Sequence, residues 1–407
     1  MHSPERARRV LVLTSTFPRR VNDTEPRFVL DLCKQLTRHA EILVLAPHAP
    51  GAESEEVIEG VSVRRFRYFF SRYETFAYEG GILARLRQNP WRILQLPLFL
   101  VGLLRATRRA MREWRPDVIH AHWIVPQGVV ACLTAGRRVP VLCTSHGGDL
   151  HGLRAPPFRW VKAWTLDRCA AVTVVSDSML AAIRRLAPGT RVDVIPMGTD
   201  LGSLFVPPAD PAIRKSNEIV FAGRLVEKKG VPVLVEAFVK LLRSCADARL
   251  TVVGDGPMRA AIESLVRRLG LAGHVTLVGG LGHAALSEVF RRSTVAVFPF
   301  VIAAGGDQEG FGLVVTEAMG CGCPVIASDL PAVRASIDPG VNGVLVPPGD
   351  VDALEREMRG LLFDAPMRER LSSAALESAR RRFDWPVIAQ RYWTTIRQCL
   401  ADPKADA

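Results

Sequence analysis

Short, β-branched apolar runs recur along the chain: VLVLTS, EILVLAP, VSVRRF, DVIHAHW, PVLCTS and AVTVVS in the first half, then EIVFAGR, RLTVVGDG, VTLVGG, VAVFPF, PVIASD and GVLVPPGD in the second. Amphipathic stretches such as VLVEAFVKLLRSC and MRAAIESLVRRLG separate them. Runs that are apolar throughout suit strands buried on both faces, and strand alternating with helix specifies parallel, doubly wound α/β sheets. At 407 residues the chain is too long for one ordinary core, so two such sheets are expected. The periodicity breaks at VIPMGTDLGSLFVPPADPAIRKSNE, where Pro196, Pro207, Pro208 and Pro211 precede a strand beginning near Ile219. The expected division is a first domain over 1–197, a second over 198–380, and a terminal helix over 381–407. Trp385, Tyr392 and Trp393 share one face of that helix, which would pack across one domain or cross back to the first.

With 48% hydrophobic and 23% charged residues, both halves have enough apolar mass for a core. The eight cysteines form no CxxC pair, and they read as small buried residues in a reducing compartment rather than metal ligands or disulfides. The N-terminal MHSPERARRVLVLTS runs from charge directly into a strand pattern, unlike a signal peptide. ILQLPLFLVGLL, residues 93–104, is shorter than the roughly 20 residues of a spanning helix and contains a proline. A cytoplasmic protein is expected. Residues 1–200 carry 29 Lys+Arg against 18 Asp+Glu, whereas 201–407 carry 24 against 23. Between 61 and 115, 12 arginines face only Glu74, Glu79 and Glu113, so the first half should meet something acidic. Nucleic acid is not expected, because no stacking-aromatic array or known binding motif accompanies these arginines.

Open parallel sheets bind ligands beyond the carboxyl ends of their strands, so two facing sheets would place a site in the cleft between them. After EIVFAG comes GRLVEKKG, residues 223–230: Arg224 follows the small Gly223, and Lys229 precedes Gly230. The two cations either meet a diphosphate as fork and point charge or stand as solvated loop residues. In VVGDGPMR, Gly254 and Gly256 either let backbone approach a ligand or make the turn into the next helix. Arg259 stands where a dinucleotide fingerprint needs its third glycine, which argues against a nicotinamide or flavin cofactor. In GGDQEGFGLVVTEAMGCGCPVIASD, residues 305–329, Gly310 and Gly312 allow a sharp turn, and a helix starting about Gly312 aims free amides and its positive dipole end at an anion. Glu309 before that turn and Glu317 within the helix supply two acceptors for hydroxyl groups. Together these features point to a nucleotide-sugar.

The chain, from about Val10 to Trp393 and most specifically over 217–350, resembles the retaining glycosyltransferases of family four, which have the two-Rossmann-domain GT-B architecture. GRLVEKKG and EGFGLVVTE stand for that family's G-R-L-x-x-x-K-G and E-x7-E elements, and EAMGCGCPVIASD and NGVLVPPGD match its downstream strands. The resemblance implies Arg224 and Lys229 on the donor diphosphate, Glu309 on the transferred sugar and Glu317 on the ribose or adjoining nucleotide. Gly223, Gly254, Gly256, Gly310, Phe311, Gly312 and Leu313 would complete the donor site. It implies no metal or cofactor, the nucleotide diphosphate sugar being a co-substrate. In TSHGGDLHG, residues 144–152, it gives His146 a place on the donor sugar; the alternative is a loop histidine bonded to backbone.

The first half matches less closely. Where many members carry paired glycines after the first strand, this chain has STFPRRVNDTEPRFV, residues 15–29. Arg19, Arg20 and Arg27 there either meet an anionic substrate or are solvated. Arg19, Arg27, His122 and Asp149 are the acceptor-side candidates, while His120 and His122 have a structural alternative. The expected activity is retaining transfer of a hexose unit to a lipid-linked or glycan acceptor in envelope or glycoconjugate synthesis. Residues 68–114, rich in arginine and carrying Phe69, Phe70, Phe76, Trp91 and Phe99, suit an anionic membrane surface, on the inner face. The rival readings are a GT-B-like epimerase or phosphorylase, and a non-catalytic nucleotide-sugar or polyanion binding protein.

Overall fold

A computed structural model describes residues 6–401 apart from 21–22, 24, 79–81, 83–84, 87–88, 137–138 and 154. Two compact units result, one of residues 1–196 with 388–407 and the other of 197–387.

In the first unit the strands are β1 (Arg9–Leu13), β2 (Glu41–Pro47), β3 (Glu55–Ile58), β4 (Val61–Phe66), β5 (Val118–His122), β6 (Val141–Ser145), β7 (Ala171–Val174) and β8 (Val192–Val194). Among the described residues they form one sheet in the order β3-β4-β2-β1-β5-β6-β7-β8, parallel except for the β3–β4 hairpin. β1, β5, β6 and β7 are buried almost throughout, as helices on both faces require. β3 and β8 lie outside the runs singled out in the sequence: β3 is an edge strand of sequence EEVI with mixed exposure, and β8 has three residues. The second unit holds β9 (Glu218–Ala222), β10 (Arg249–Val253), β11 (Val275–Gly279), β12 (Val295–Phe298), β13 (Val325–Ser328) and β14 (Val344–Val346), all parallel in the order β11-β10-β9-β12-β13-β14. The sheets reverse their winding between β1 and β5, and between β9 and β12, and these are their switch points.

The terminal helix, Trp385–Ala401, belongs to the first unit from Ile388 onward. Its aromatics diverge in use. Trp385 lies against Gly198, where an added Cβ would fall 2.2 Å from the indole, while Tyr392 is buried near His120 and Trp393 stacks on His39. Thr395 Oγ1 donates to Asp193 at 3.0 Å, and Arg391 to the Val194 carbonyl at 2.5 Å.

The arginine-rich segment divides into core and surface. Phe76 and Phe99 are fully buried, correcting their reading as interfacial aromatics, whereas Phe70 and Trp91 are 72% and 79% exposed. Arg65 is also buried, donating to Glu56 and the Pro18 carbonyl. The helix Leu96–Glu113 turns Phe99, Leu103, Thr107 and Ala110 inward at helical spacing and leaves Leu98 and Val101 outside. Glu79 and Arg87 of this segment lie outside the described residues. No helix among the described residues is long and apolar enough to cross a membrane. All eight cysteines are free thiols, seven of them buried.

Candidate active site

The loops after β9 and β12 meet at the switch point of the second sheet. After β9 the chain makes a tight turn, Glu227–Lys229, and enters the helix Val231–Leu241 through Gly230. Gly230 has φ +66°, and a Cβ there would lie 1.8 Å from the Pro299 carbonyl oxygen, so only glycine lets the two loops close on each other. The Val301 amide donates to the Lys228 carbonyl at 3.0 Å, the Ala304 amide to Glu227 at 2.9 Å, and Lys228 pairs with Asp307 at 3.2 Å.

This clasp brings Lys229 Nζ to 2.5 Å from Glu309 Oε2, with both side chains largely buried, and sets the ammonium 4.6 Å from the centre of the Phe300 ring. Burial alone would raise the Glu309 pKa, but the charge and hydrogen bond of Lys229, helped by Lys228 and the Gly310 amide, outweigh it and hold the carboxyl at about 2. Glu317, in the helix Leu313–Gly320, moves the other way: burial raises it to about 7 against the pull of Lys229. One glutamate is therefore a fixed anion and the other titrates near neutrality. The Leu313–Gly320 helix follows Gly312, in left-handed backbone, and no side chain caps its first amides. Arg224 is exposed, and among the described residues no side chain pairs with it.

Other expected donor residues also have neighbours within the unit. A Cβ on Gly254 would sit 1.9 Å from the Gly223 carbonyl oxygen, and the Gly254 amide donates to Gly279, so this glycine admits neighbouring chain. Gly256 similarly faces the Leu225 carbonyl. Phe311 is buried edge-on to Phe383, leaving its backbone, not its ring, for a ligand. The Gly310 amide bonds to its neighbour Glu309 at 3.1 Å.

In the first unit, the ends of β5 and β6 gather three histidines. His122 Nδ1 lies 2.9 Å from His146 Nε2 with the rings stacked, and Phe28 and Trp123 each pack 4.9 Å from the His146 ring. Burial lowers His120 and His146 to about 3, and burial with the neighbouring His120 and His146 holds His122 well below the ordinary imidazole range. The remaining acceptor-side candidates are engaged within the unit. Asp149 accepts from the Ile124 amide at 2.7 Å and from Ser145 at 2.9 Å; Arg19 forks onto Asp23; Arg27 pairs with Glu59 at 2.6 Å and Asp31 at 3.3 Å. Arg20 is exposed, while Val21, Asn22 and Thr24 of the same loop lie outside the described residues. Among the described residues, no three His, Cys, Asp or Glu side chains are grouped to hold a metal. Sequence reasoning missed Lys228, Phe300 and Asp307. Lys228 was legible as the other half of a Lys-Lys pair, but nothing local marks Phe300 as the floor beneath Lys229.

Two α/β units of this kind, one with a cation–carboxylate pair at its switch point, have close counterparts among known proteins. Residues 208–378 match Glycosyl transferases group 1, and residues 26–203 match Glycosyltransferase Family 4. The chain belongs to glycosyltransferase family four and has the GT-B fold. The phosphatidyl-myo-inositol mannosyltransferase of Mycobacterium tuberculosis is 30% identical over 378 residues, covering 89% of this chain and 90% of the relative. Sucrose-phosphate synthase from Thermosynechococcus elongatus superposes with a TM-score of 0.78 at 23% identity, covering 97% of this chain and 99% of that one. HepE of Anabaena in complex with UDP-glucose gives 0.71 at 20% identity, over 96% and 99%.

Proposed function

We propose that the protein transfers a hexose unit from a nucleotide diphosphate sugar to an acceptor hydroxyl with retention at the anomeric carbon. The observation that carries this is the Lys229–Glu309 pair at the switch point, beside the uncapped start of the Leu313–Gly320 helix. An ammonium has three donors, so Lys229 holds Glu309 and a phosphate oxygen together. Arg224, exposed and near it in sequence, takes a second oxygen. As the sugar becomes oxocarbenium-like, the departing diphosphate gains charge, and both cations and the helix amides stabilise it. Glu309, ionised down to about pH 2, accepts hydrogen bonds from sugar hydroxyls and has no proton to give. The leaving phosphate is then the base for the acceptor hydroxyl, on the same face of the sugar. His146 meets the donor sugar, and Glu317 the nucleotide. HepE, crystallised with UDP-glucose, supports a donor of this chemical class.

The expected product from an α-linked donor is α-linked, and activity should persist in EDTA because protein cations stand at the diphosphate. Proton NMR of the product reads the anomer directly. A β-linked product, or activity lost to EDTA and restored by Mg²⁺, would overturn the mechanism.

For the acceptor we favour a lipid-linked molecule at an anionic membrane, with the protein peripheral on its cytoplasmic face. Phe70, Trp91, Leu94 and Leu98 are exposed in a segment that also carries Arg72, Arg92, Arg105 and Arg108. Each basic residue at such a surface adds on the order of 1 kcal/mol, and four give reversible adsorption. The protein should pellet with vesicles containing phosphatidylserine at low salt and detach at high salt, since charges are screened beyond about 10 Å at 0.1 M. Equal pelleting with neutral vesicles, or none with anionic ones, would leave a soluble glycan or small molecule as acceptor.

A further inference from the structure

His120 and His122 alternate on β5, so both imidazoles lie on one face of the sheet. β6 brings Thr144 beside the first, and the loop after it brings His146 beside the second. The stripe continues sideways: His120 Nε2 is 2.7 Å from Thr144 Oγ1, which is 2.6 Å from Thr173 Oγ1, and the Tyr392 hydroxyl bonds to both threonines. His120 and His122 are closed to solvent and their rings lie 4.3 Å apart, whereas His146 is only partly covered. Two buried ring nitrogens, His120 Nδ1 and His122 Nε2, have no hydrogen-bond partner among the described residues.

Those orphans decide the direction of the His122–His146 bond. Withdrawal from water holds both imidazoles below their ordinary pKa, so each ring is neutral and carries a single N–H. If His146 donated, the proton of His122 would sit on Nε2, a buried N–H with no acceptor. If His122 donates, only a lone pair is left bare at Nε2. An orphaned buried N–H is the rarer and more costly arrangement. His146 then accepts at Nε2 and carries its own proton on Nδ1.

We propose that His122 is a positioning residue: by donating Nδ1–H to His146 Nε2 it locks His146 in the Nδ1–H tautomer, making it a neutral hydrogen-bond donor to the donor sugar rather than a base. This explains why His122, expected on the acceptor side, is sealed inside the unit. It rests on the reading that His146 meets the donor sugar, and the test separates the two.

The tautomer is read from the nitrogen-15 chemical shifts of His146 in the full-length protein, and turnover from nucleoside diphosphate released from UDP-glucose or GDP-mannose. Wild type should show His146 protonated on Nδ1. His122→Phe, which removes the donor, should release the lock and lower kcat by roughly 10-fold or more with little change in donor KM. His122→Asn, whose amide N–H replaces Nδ1–H, should restore the tautomer and bring kcat to within about 3-fold of wild type. His146 protonated on Nε2 in the wild type would overturn the proposal even if the Phe variant failed to fold, as would equal loss in the Asn and Phe variants with the tautomer unmoved. The expected tautomer changes with kcat indifferent to them would uphold the lock and instead remove His146 from the reaction.

Discussion

Lys229→Ala and Glu309→Gln should each lower turnover by at least roughly 100-fold, the scale of losing one preorganised electrostatic contact in a water-poor site. The two side chains form one unit, joined at 2.5 Å over the Phe300 ring, so their effects should not add. The double variant is expected to fall little below the worse single one. Glu317→Ala should act chiefly on donor affinity, because this side chain is assigned to the nucleotide and not to the breaking bond. Steady-state kcat and KM for the four variants, measured with one donor, check the set. Wild-type rates from both single variants would remove the donor-site assignment while leaving the fold and family untouched.

The two glutamates should also leave opposite marks on stability. Glu317 is raised from the ordinary carboxylate range to about 7, so its contribution is full below about pH 4.5 and is lost as pH rises through 7. Glu309 is depressed to about 2; its contribution is present above about 4.5 and lost as pH falls through 2. At pH 8, Glu317→Gln should therefore stabilise the ligand-free protein and Glu309→Gln destabilise it, each by up to about 3 kcal/mol at 1.36 kcal/mol per pKa unit. Near pH 4.5 the Glu317→Gln difference should vanish while that of Glu309→Gln largely remains. Urea unfolding at the two pH values measures both. Shifts of the same sign at pH 8 would show that the two carboxyls do not sit in the opposed environments described for them.

Much of this architecture is legible without coordinates, for a physical reason. Parallel strands covered on both faces must be apolar throughout, so β1, β5, β9 and β12 announce themselves as continuous runs. β3 escapes because an edge hairpin can be polar on one side, and its EEVI has no signature beyond a following glycine turn. At the site, Lys229, Glu309 and Glu317 stand out in the sequence because cations and carboxylates between glycines after a strand have few other uses, and the structure pairs the first two. Spacing says which residues lie near a turn, but not whether their polar atoms already have partners. Arg19, Arg27 and Asp149 stand on the expected loops and spend their charge on Asp23, on Glu59 and Asp31, and on the Ile124 amide. Phe76 and Phe99 look interfacial in one dimension because arginines surround them, and are core in three.

The placement of Tyr392 sets an order of events during synthesis. The first unit is encoded by residues 1–196 but closes only when residues from 388 onward pack beside His39, His120, Asp193 and Val194. Between these two stretches the ribosome must make the whole second unit, residues 197–387. At roughly 5–20 residues per second that interval lasts about 10–40 s, during which Thr144 and Thr173 wait for the phenol that will join them. The half of the enzyme translated first is thus the half completed last, and a nascent chain stalled before Ile388 carries a finished second unit attached to an unfinished first one.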